Sequence, residues 1–170
     1  MERTKISAEA SQARIVPMEP SDLDEVARIE TFSSLTSWSL QAFLGELSNP
    51  LSFCFCLKWE KEGTDLVLRF ICFRIVGEDS EILNLGIHPQ CLQQGMGRSL
   101  VRFYLDFCRV RNVKTFYLET GVSNEAAIRL YQSYGYRPAG IRSRLYPGKE
   151  DALLMVRETG PGGPPNHPRP

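Results

Sequence analysis

The stretch Ile82–Leu100, ILNLGIHPQCLQQGMGRSL, sets the fold. Its opening is apolar enough for a buried strand, and His88-Pro89 stops that strand, because proline has no N–H to continue a ladder. The run GMGRSLVRFYLDFCRVRN, from Gly95, then reads as a long helix. Leu100, Tyr104, Phe107 and Cys108 fall along one stripe of it, and Asn112 stands just past its end. Gly95 and Gly97 let main-chain N–H groups approach a ligand closely. A helix N-terminus adds unsatisfied donors and the positive end of a dipole, so the head of this helix suits a phosphate or pyrophosphate. Two glycines can equally shape a plain turn, and G-x-G alone does not decide between these. Two nucleotide motifs are excluded. A dinucleotide fingerprint needs a third glycine where Leu100 stands, and a Walker loop needs Lys-Ser/Thr where Arg98-Ser99 follow Gly97.

The flanks supply the other elements. Arg14–Val16 reads as a short strand. PSDLDEVARIE opens a helix with Ser21 as cap, acids in its first turn, and Leu23, Val26, Ala27 and Ile29/Glu30 at helical spacing. A second short helix follows, capped by Ser39, with Leu40, Phe43, Leu44 and Leu47 on one face. LSFCFCLKW and DLVLRFICFRIV are strands joined at the turn EKEGT. Beyond the long helix, KTFYLET is a strand and SNEAAIRLYQSYG a helix, capped by Ser123 or Asn124 and stopped by Gly135. RPAGIRSRLY and DALLMV are two last strands around PGKE. The order β-α-α-β-β-β-α-β-α-β-β predicts an α/β fold. About seven strands form a mixed, mostly antiparallel sheet, with about four helices flanking it in three layers.

Composition bounds the rest. The chain has 170 residues and 42% hydrophobic content, enough for one domain with a real core. That domain is expected over residues 13–158. Residues 1–12 are expected to be loose, and residues 159–170, rich in Pro and Gly, to form a disordered tail. Twenty basic residues balance twenty acidic ones, so no net charge points to nucleic acid or an anionic membrane. No apolar run suggests a membrane span, and MERTKISAEASQAR lacks a signal-peptide core, which predicts a cytoplasmic protein. The cysteines, Cys54, Cys56, Cys72, Cys91 and Cys108, are odd in number and form no C-x-x-C, so reduced thiols are expected. His88 and His167 have no cysteine at zinc spacing, so no metal site is expected.

A second cluster lies further along. Glu119 comes at the C-terminal end of an otherwise apolar strand, where ligands of open α/β sheets bind. A carboxylate there can act as a general base. Tyr131 lies on the following helix, and its phenol could protonate a leaving thiolate. A solvated strand end and a core tyrosine would leave the same residues.

Five segments together carry more information than either cluster. They are SWSLQAF at 37–43, NLGIHP at 84–89, QQGMGRSL at 93–100, LETGVSNEAAIRLYQSYGY at 118–136 and EDALLM at 150–155. With this order and spacing, residues 14–157 resemble the GNAT superfamily of acetyl-CoA-dependent N-acetyltransferases. More narrowly they resemble its RimI-type ribosomal-protein alanine N-acetyltransferases. The resemblance implies acetyl-CoA as cosubstrate and a protein or peptide N-terminus, such as that of a ribosomal protein, as partner. A monomer or weak dimer is expected. The resemblance also implies residue roles. The main chain of Leu85, Gly86 and Ile87 would hold the pantetheine arm. The backbone of Gln93, Gln94, Gly95, Met96, Gly97 and Arg98 would cradle the pyrophosphate, and Asn124 would contact the cofactor. Glu119 would be the general base and Tyr131 the general acid, with Trp38 and Tyr146 on the substrate side.

Three positions depart from the family pattern. Leu92 stands where Gln or Arg usually begins the pyrophosphate motif. Ser37 replaces a proline before Trp38, and the PGKE turn is short. The last two touch the peptide side. Two other functions fit the same chain: acetylation of a small amine, or a catalytically silent acyl-CoA-binding module. Glu119 and Tyr131 together speak against the silent module, because a pure binder needs neither.

Overall fold

The computed structural model describes residues 13–33, 38–61, 63–91, 97–143 and 150–160. Seven strands form one sheet: β1 (Arg14–Pro17), β2 (Ser52–Lys61), β3 (Thr64–Val76), β4 (Asp79–Ile87), β5 (Thr115–Gly121), β6 (Arg137–Arg142) and β7 (Ala152–Glu158). Four α-helices accompany them: α1 (Leu23–Ser33), α2 (Leu40–Leu47), α3 (Gly97–Arg109) and α4 (Glu125–Ser133). The strand order is β1-β2-β3-β4-β5-β7-β6. β1 and β2 run antiparallel, as do β5 and β7, and β6 and β7. β4 and β5 run parallel, Asp79–Ile82 against Thr115–Leu118. A parallel neighbour needs a crossover, and α3 lies in that connection.

The chain divides into two compact units, Met1–Phe73 with Asn84–Leu100, and Arg74–Leu83 with Val101–Pro170. In the first, β3 is buried continuously from Val67 to Phe73, as expected of a central strand covered on both faces. One core cluster joins Val26 and Ile29 of α1, Phe43 of α2, Cys54 and Cys56 of β2, and Phe70 and Cys72 of β3, with Trp38 and Leu47 packed on it. The two cysteines of β2 share a face, as their spacing predicts, and all five cysteines are free and buried.

In the second unit, Tyr104 of α3 meets Phe116 of β5 edge to face at 5.8 Å. Arg157 of β7 is only 2% exposed. Its Nε donates to the Tyr134 carbonyl at 2.9 Å. β6 is exposed along its length, and its pairing with β7 shifts register between Pro138 and Gly140. A terminal strand tolerates both the proline and the irregularity.

Local expectations change in four places. Ser21 does not cap α1. A 3₁₀ turn, Pro20–Asp22, precedes the helix, and the Glu19 N–H donates to Asp22 Oδ2 at 2.9 Å. Pro20 suits that first position because the missing N–H would be unsatisfied there anyway. In α2, Ser39 caps as expected, accepting from the Ala42 N–H at 3.2 Å. Phe43 is fully buried, but Leu40 and Leu44 are 45% and 40% exposed, so this two-turn helix buries a narrower stripe than its sequence suggests. In α3, Val101 and Leu105 join Leu100, Tyr104 and Cys108 inside, while Phe107 stays half-buried beneath the Arg111 guanidinium. Finally, β5 extends to Gly121, so Glu119 sits within the strand and not at its end. Asn112 past α3 (φ 59°) and Gly135 past α4 (φ 85°) adopt the left-handed conformation that ends helices, as read from sequence.

Candidate functional site

An acid at helical spacing in α1, Glu30, holds the side chain of Asn84 in β4. Glu30 of α1 is 2% exposed. Its Oε1 accepts the Trp38 N–H, and its Oε2 accepts Asn84 Nδ2, each at 3.0 Å. One buried carboxylate therefore joins the strand expected to hold a coenzyme arm to the tryptophan expected on the substrate side. The available signal was an acid directly beside Ile29 on an apolar helix face, where a buried charge requires partners.

Gly86 lies between half-buried Leu85 and Ile87. A Cβ at this position would overlap the Phe70 ring and press on Ile29. The glycine thus has a packing role: its missing side chain lets the strand lie against Phe70. His88 still pairs with the sheet, its N–H donating to the Leu68 carbonyl at 2.9 Å, so the strand stops at Pro89.

At the head of α3, Gly97 is half-buried and Arg98 and Ser99 are exposed, and the first turn contains no acidic residue. Arg69 of β3 reaches this turn from inside, its Nη1 donating to Ser99 Oγ at 2.9 Å. Gln93, Gln94, Gly95 and Met96 of the expected cradle, and Tyr146, lie outside the described residues.

The second unit holds Glu119, Asn124 and Tyr131. In β5, Glu119 stands opposite Leu154 of β7, and its side chain is 19% exposed. It forms an ion pair with Arg142 of β6, reaching across β7. Arg142 was missed in the sequence because nothing local links the end of β6 to β5. Asn124 is the cap of α4. Its Oδ1 accepts the Ala127 N–H at 3.1 Å, which settles the choice between it and Ser123. Tyr131 is 7% exposed and meets Tyr136 edge to face at 5.7 Å. Burial pushes its phenol up to about 12. The phenol therefore remains protonated throughout the neutral range, as a proton donor must.

Among the described residues no group of three His, Cys, Asp or Glu side chains could hold a metal ion, and no helix is long and apolar enough to cross a membrane.

Residues 19–136 match the Acetyltransferase (GNAT) family. The chain belongs to that family. It is an acetyl-CoA-dependent N-acetyltransferase. This GNAT chain is 31% identical over 145 residues to the ribosomal protein bS18-alanine N-acetyltransferase of Escherichia coli (strain K12), covering 84% of this chain and 95% of that protein. It is 31% identical over 138 residues to the enzyme of the same name from Salmonella typhimurium, covering 79% and 90%. The crystal structure of the Escherichia coli ribosomal-protein-S18-alanine N-acetyltransferase superposes with a TM-score of 0.75 at 30% identity, covering 88% of this chain and 97% of that one. The GNAT family accounts for the mixed sheet and for the coenzyme. Acetyl-CoA is the cosubstrate.

Proposed function

We propose that this acetyltransferase acts on the N-terminal α-amine of a protein, with an N-terminal alanine of a small-subunit ribosomal protein as the substrate class. The observation that carries this reading is the similarity, over about four fifths of the chain, to enzymes that acetylate the alanine of ribosomal protein bS18.

The residues take the following parts. The main chain of Leu85, Gly86 and Ile87 holds the pantetheine arm by strand-like hydrogen bonding. Main-chain N–H groups of residues 93–98, the stretch that precedes and opens α3 in sequence, hold the pyrophosphate, and Asn124 donates to the coenzyme. Trp38 and Tyr146 contact the peptide. An α-amine has a pKa near 8 and is largely protonated at neutral pH. Glu119 removes that proton, directly or through one water. The free amine attacks the thioester carbonyl carbon, a C–N bond forms, and a main-chain N–H of β4 stabilises the oxyanion. The C–S bond then breaks. Tyr131 gives its proton to the sulfur as charge develops there and recovers one as the new amide nitrogen loses its extra proton.

The test is incubation with acetyl-CoA and a panel of short peptides with free N-termini, together with polyamines, read by mass spectrometry. Acetylation at the α-amine of peptides beginning with alanine or another small residue is expected. Acetylation confined to internal lysines or to the polyamines would overturn the substrate assignment.

A further inference from the structure

Glu30 follows Ile29 of the core in α1 and is itself 2% exposed. A carboxylate buried this deeply persists only where donors meet its oxygens. Both of its donors come from outside its own helix. The Trp38 main-chain N–H meets Oε1, and Nδ2 of the buried Asn84 meets Oε2. Both donors are neutral, so this link depends on the reach and direction of two hydrogen bonds.

The two arms end on elements of very different firmness. Asn84 belongs to β4, an interior strand of the sheet, and just beyond it the His88 N–H donates to the Leu68 carbonyl. That strand is held in place whatever Glu30 does. Trp38 stands two residues before α2, which has only eight residues, too few to be stable by themselves. Phe43 is the fully buried residue of α2, and Leu40 and Leu44 stay largely in solvent. The Trp38 ring leans on Phe43 at a centroid distance of 5.1 Å. The side chains of α2 thus give it a narrow grip on the core, and the Glu30 bond fixes the main chain at its entry.

We infer that Glu30 is a positioning residue for the peptide: an acceptor on α1 that fastens the main chain at Trp38 to β4, and so sets the place of the substrate-side tryptophan before the peptide arrives. This deepens the proposed function and rests on its assignment of Trp38 to the peptide side. A segment ordered in advance does not have to be ordered by its ligand, and that saving appears as affinity. The affinity at stake is the peptide's, because the coenzyme is assigned to the main chain of β4, which the sheet holds independently.

Steady-state kinetics of the full chain with acetyl-CoA and an alanine peptide test this, well below the Tm of each variant. Glu30→Met removes both acceptors at similar volume. It should raise the peptide KM by about tenfold or more and leave kcat and the acetyl-CoA KM within about twofold. Glu30→Gln keeps the reach and loses the charge. Its Oε1 can accept the Trp38 N–H, and the Asn84 amide can turn over to accept from its Nε2. The Gln variant should therefore keep the peptide KM within about threefold of wild type. Glu30→Asp keeps the charge but is one methylene shorter and cannot span both partners, so it should resemble Met. Should the Met variant fail to fold, the contrast between Gln and Asp carries the test. A residue serving stability alone would lower the Tm and the active fraction, so apparent kcat would fall with both KM values unchanged. That result overturns the inference. So does an equal rise in the peptide and acetyl-CoA KM values, or a Gln variant no better than Asp. Failure of wild type to acetylate the alanine peptide overturns the proposed function itself, which is a different result.

Discussion

The two halves of the proposed chemistry are built differently. On β4, at Leu85–Ile87, the groups assigned to the coenzyme belong to the main chain, and the side chains around them serve packing. On β5 and α4 the assigned groups are side chains, Glu119 and Tyr131, each with a specific neighbour: Arg142 for the acid, Tyr136 for the phenol. Main-chain recognition tolerates many sequences, provided the strand is held flat and nothing blocks it. Side-chain chemistry tolerates almost none. Substitutions in the first half should therefore act through stability, and substitutions in the second through turnover.

The largest effect is expected at Glu119. Glu119→Gln keeps the shape, removes the base and ends the ion pair with Arg142. Turnover with an alanine peptide should fall by about 10²-fold or more at neutral pH. Raising the pH should partly restore it, because an amine with a pKa near 8 then loses its proton to solvent. The Tm should change little, since an ion pair whose arginine is 60% exposed contributes little. An undiminished rate across pH would remove Glu119 from the mechanism.

Gly86→Ala breaks the comparison from the other side. Its Cβ would overlap the Phe70 ring in a fully buried part of the core. Overpacking of this kind costs about 1–3 kcal/mol, and each kcal/mol lowers the Tm of a chain this long by about 2–4 °C. Thermal unfolding without ligand should show the loss. A variant of unchanged Tm that lost only coenzyme affinity would remove the packing role and leave Gly86 its proposed main-chain role alone.

These two residues illustrate what the sequence made legible. Strand and helix order followed from apolar period, proline and glycine stops, and caps at Ser39 and at Ser123 or Asn124, because those signals are local. The errors arose where a distant or subtle competitor won. Glu19 and Pro20 displaced Ser21 as the start of the first helical turn. Leu40 and Leu44 matched the helical period but remain exposed, since periodicity does not say how wide a stripe the rest of the chain can cover. Glu30, Arg69 and Arg142 were visible as charges, but their partners Trp38, Asn84, Ser99 and Glu119 lie on other elements. Gly86 was noticed for its main chain, while the reason that demands a glycine, Phe70 on the neighbouring strand, is tertiary.

Tyr131→Phe should lower turnover by about tenfold with little change in Tm, because only the hydroxyl is removed from a core position. The pH dependence separates this variant from Glu119→Gln. Burial holds the phenol at about 12, so the proton-donating form is complete below that value and is lost only as the pH rises through it. Wild type should therefore show no loss of activity from this group between pH 7 and 10, and alkaline conditions should not rescue the variant. A basic limb below pH 10 that vanished in Tyr131→Phe would require a much more acidic phenol than this burial produces.

The smallest and most discriminating effect is expected at Asn124, where the two modes meet in one side chain. Its Oδ1 is committed to the α4 cap through the Ala127 N–H. Any contact with the coenzyme must therefore come chiefly from the amide nitrogen. Asn124→Asp keeps the acceptor and adds a negative charge at a helix N-terminus, so the cap and the Tm should hold or improve slightly. The same change removes the donor and places a carboxylate where a polyanionic coenzyme is assigned, so the acetyl-CoA KM should rise several-fold. Asn124→Ala removes acceptor and donor together, which should cost about 1 kcal/mol of stability and raise KM as well. If the residue only caps, Asp will match wild type in both measurements and Ala will differ in Tm alone. If it only serves the coenzyme, Ala and Asp will share a wild-type Tm. The pattern expected here, Tm preserved in Asp and lost in Ala with KM raised in both, belongs to neither simple case and identifies a side chain whose oxygen holds the helix while its nitrogen serves the coenzyme.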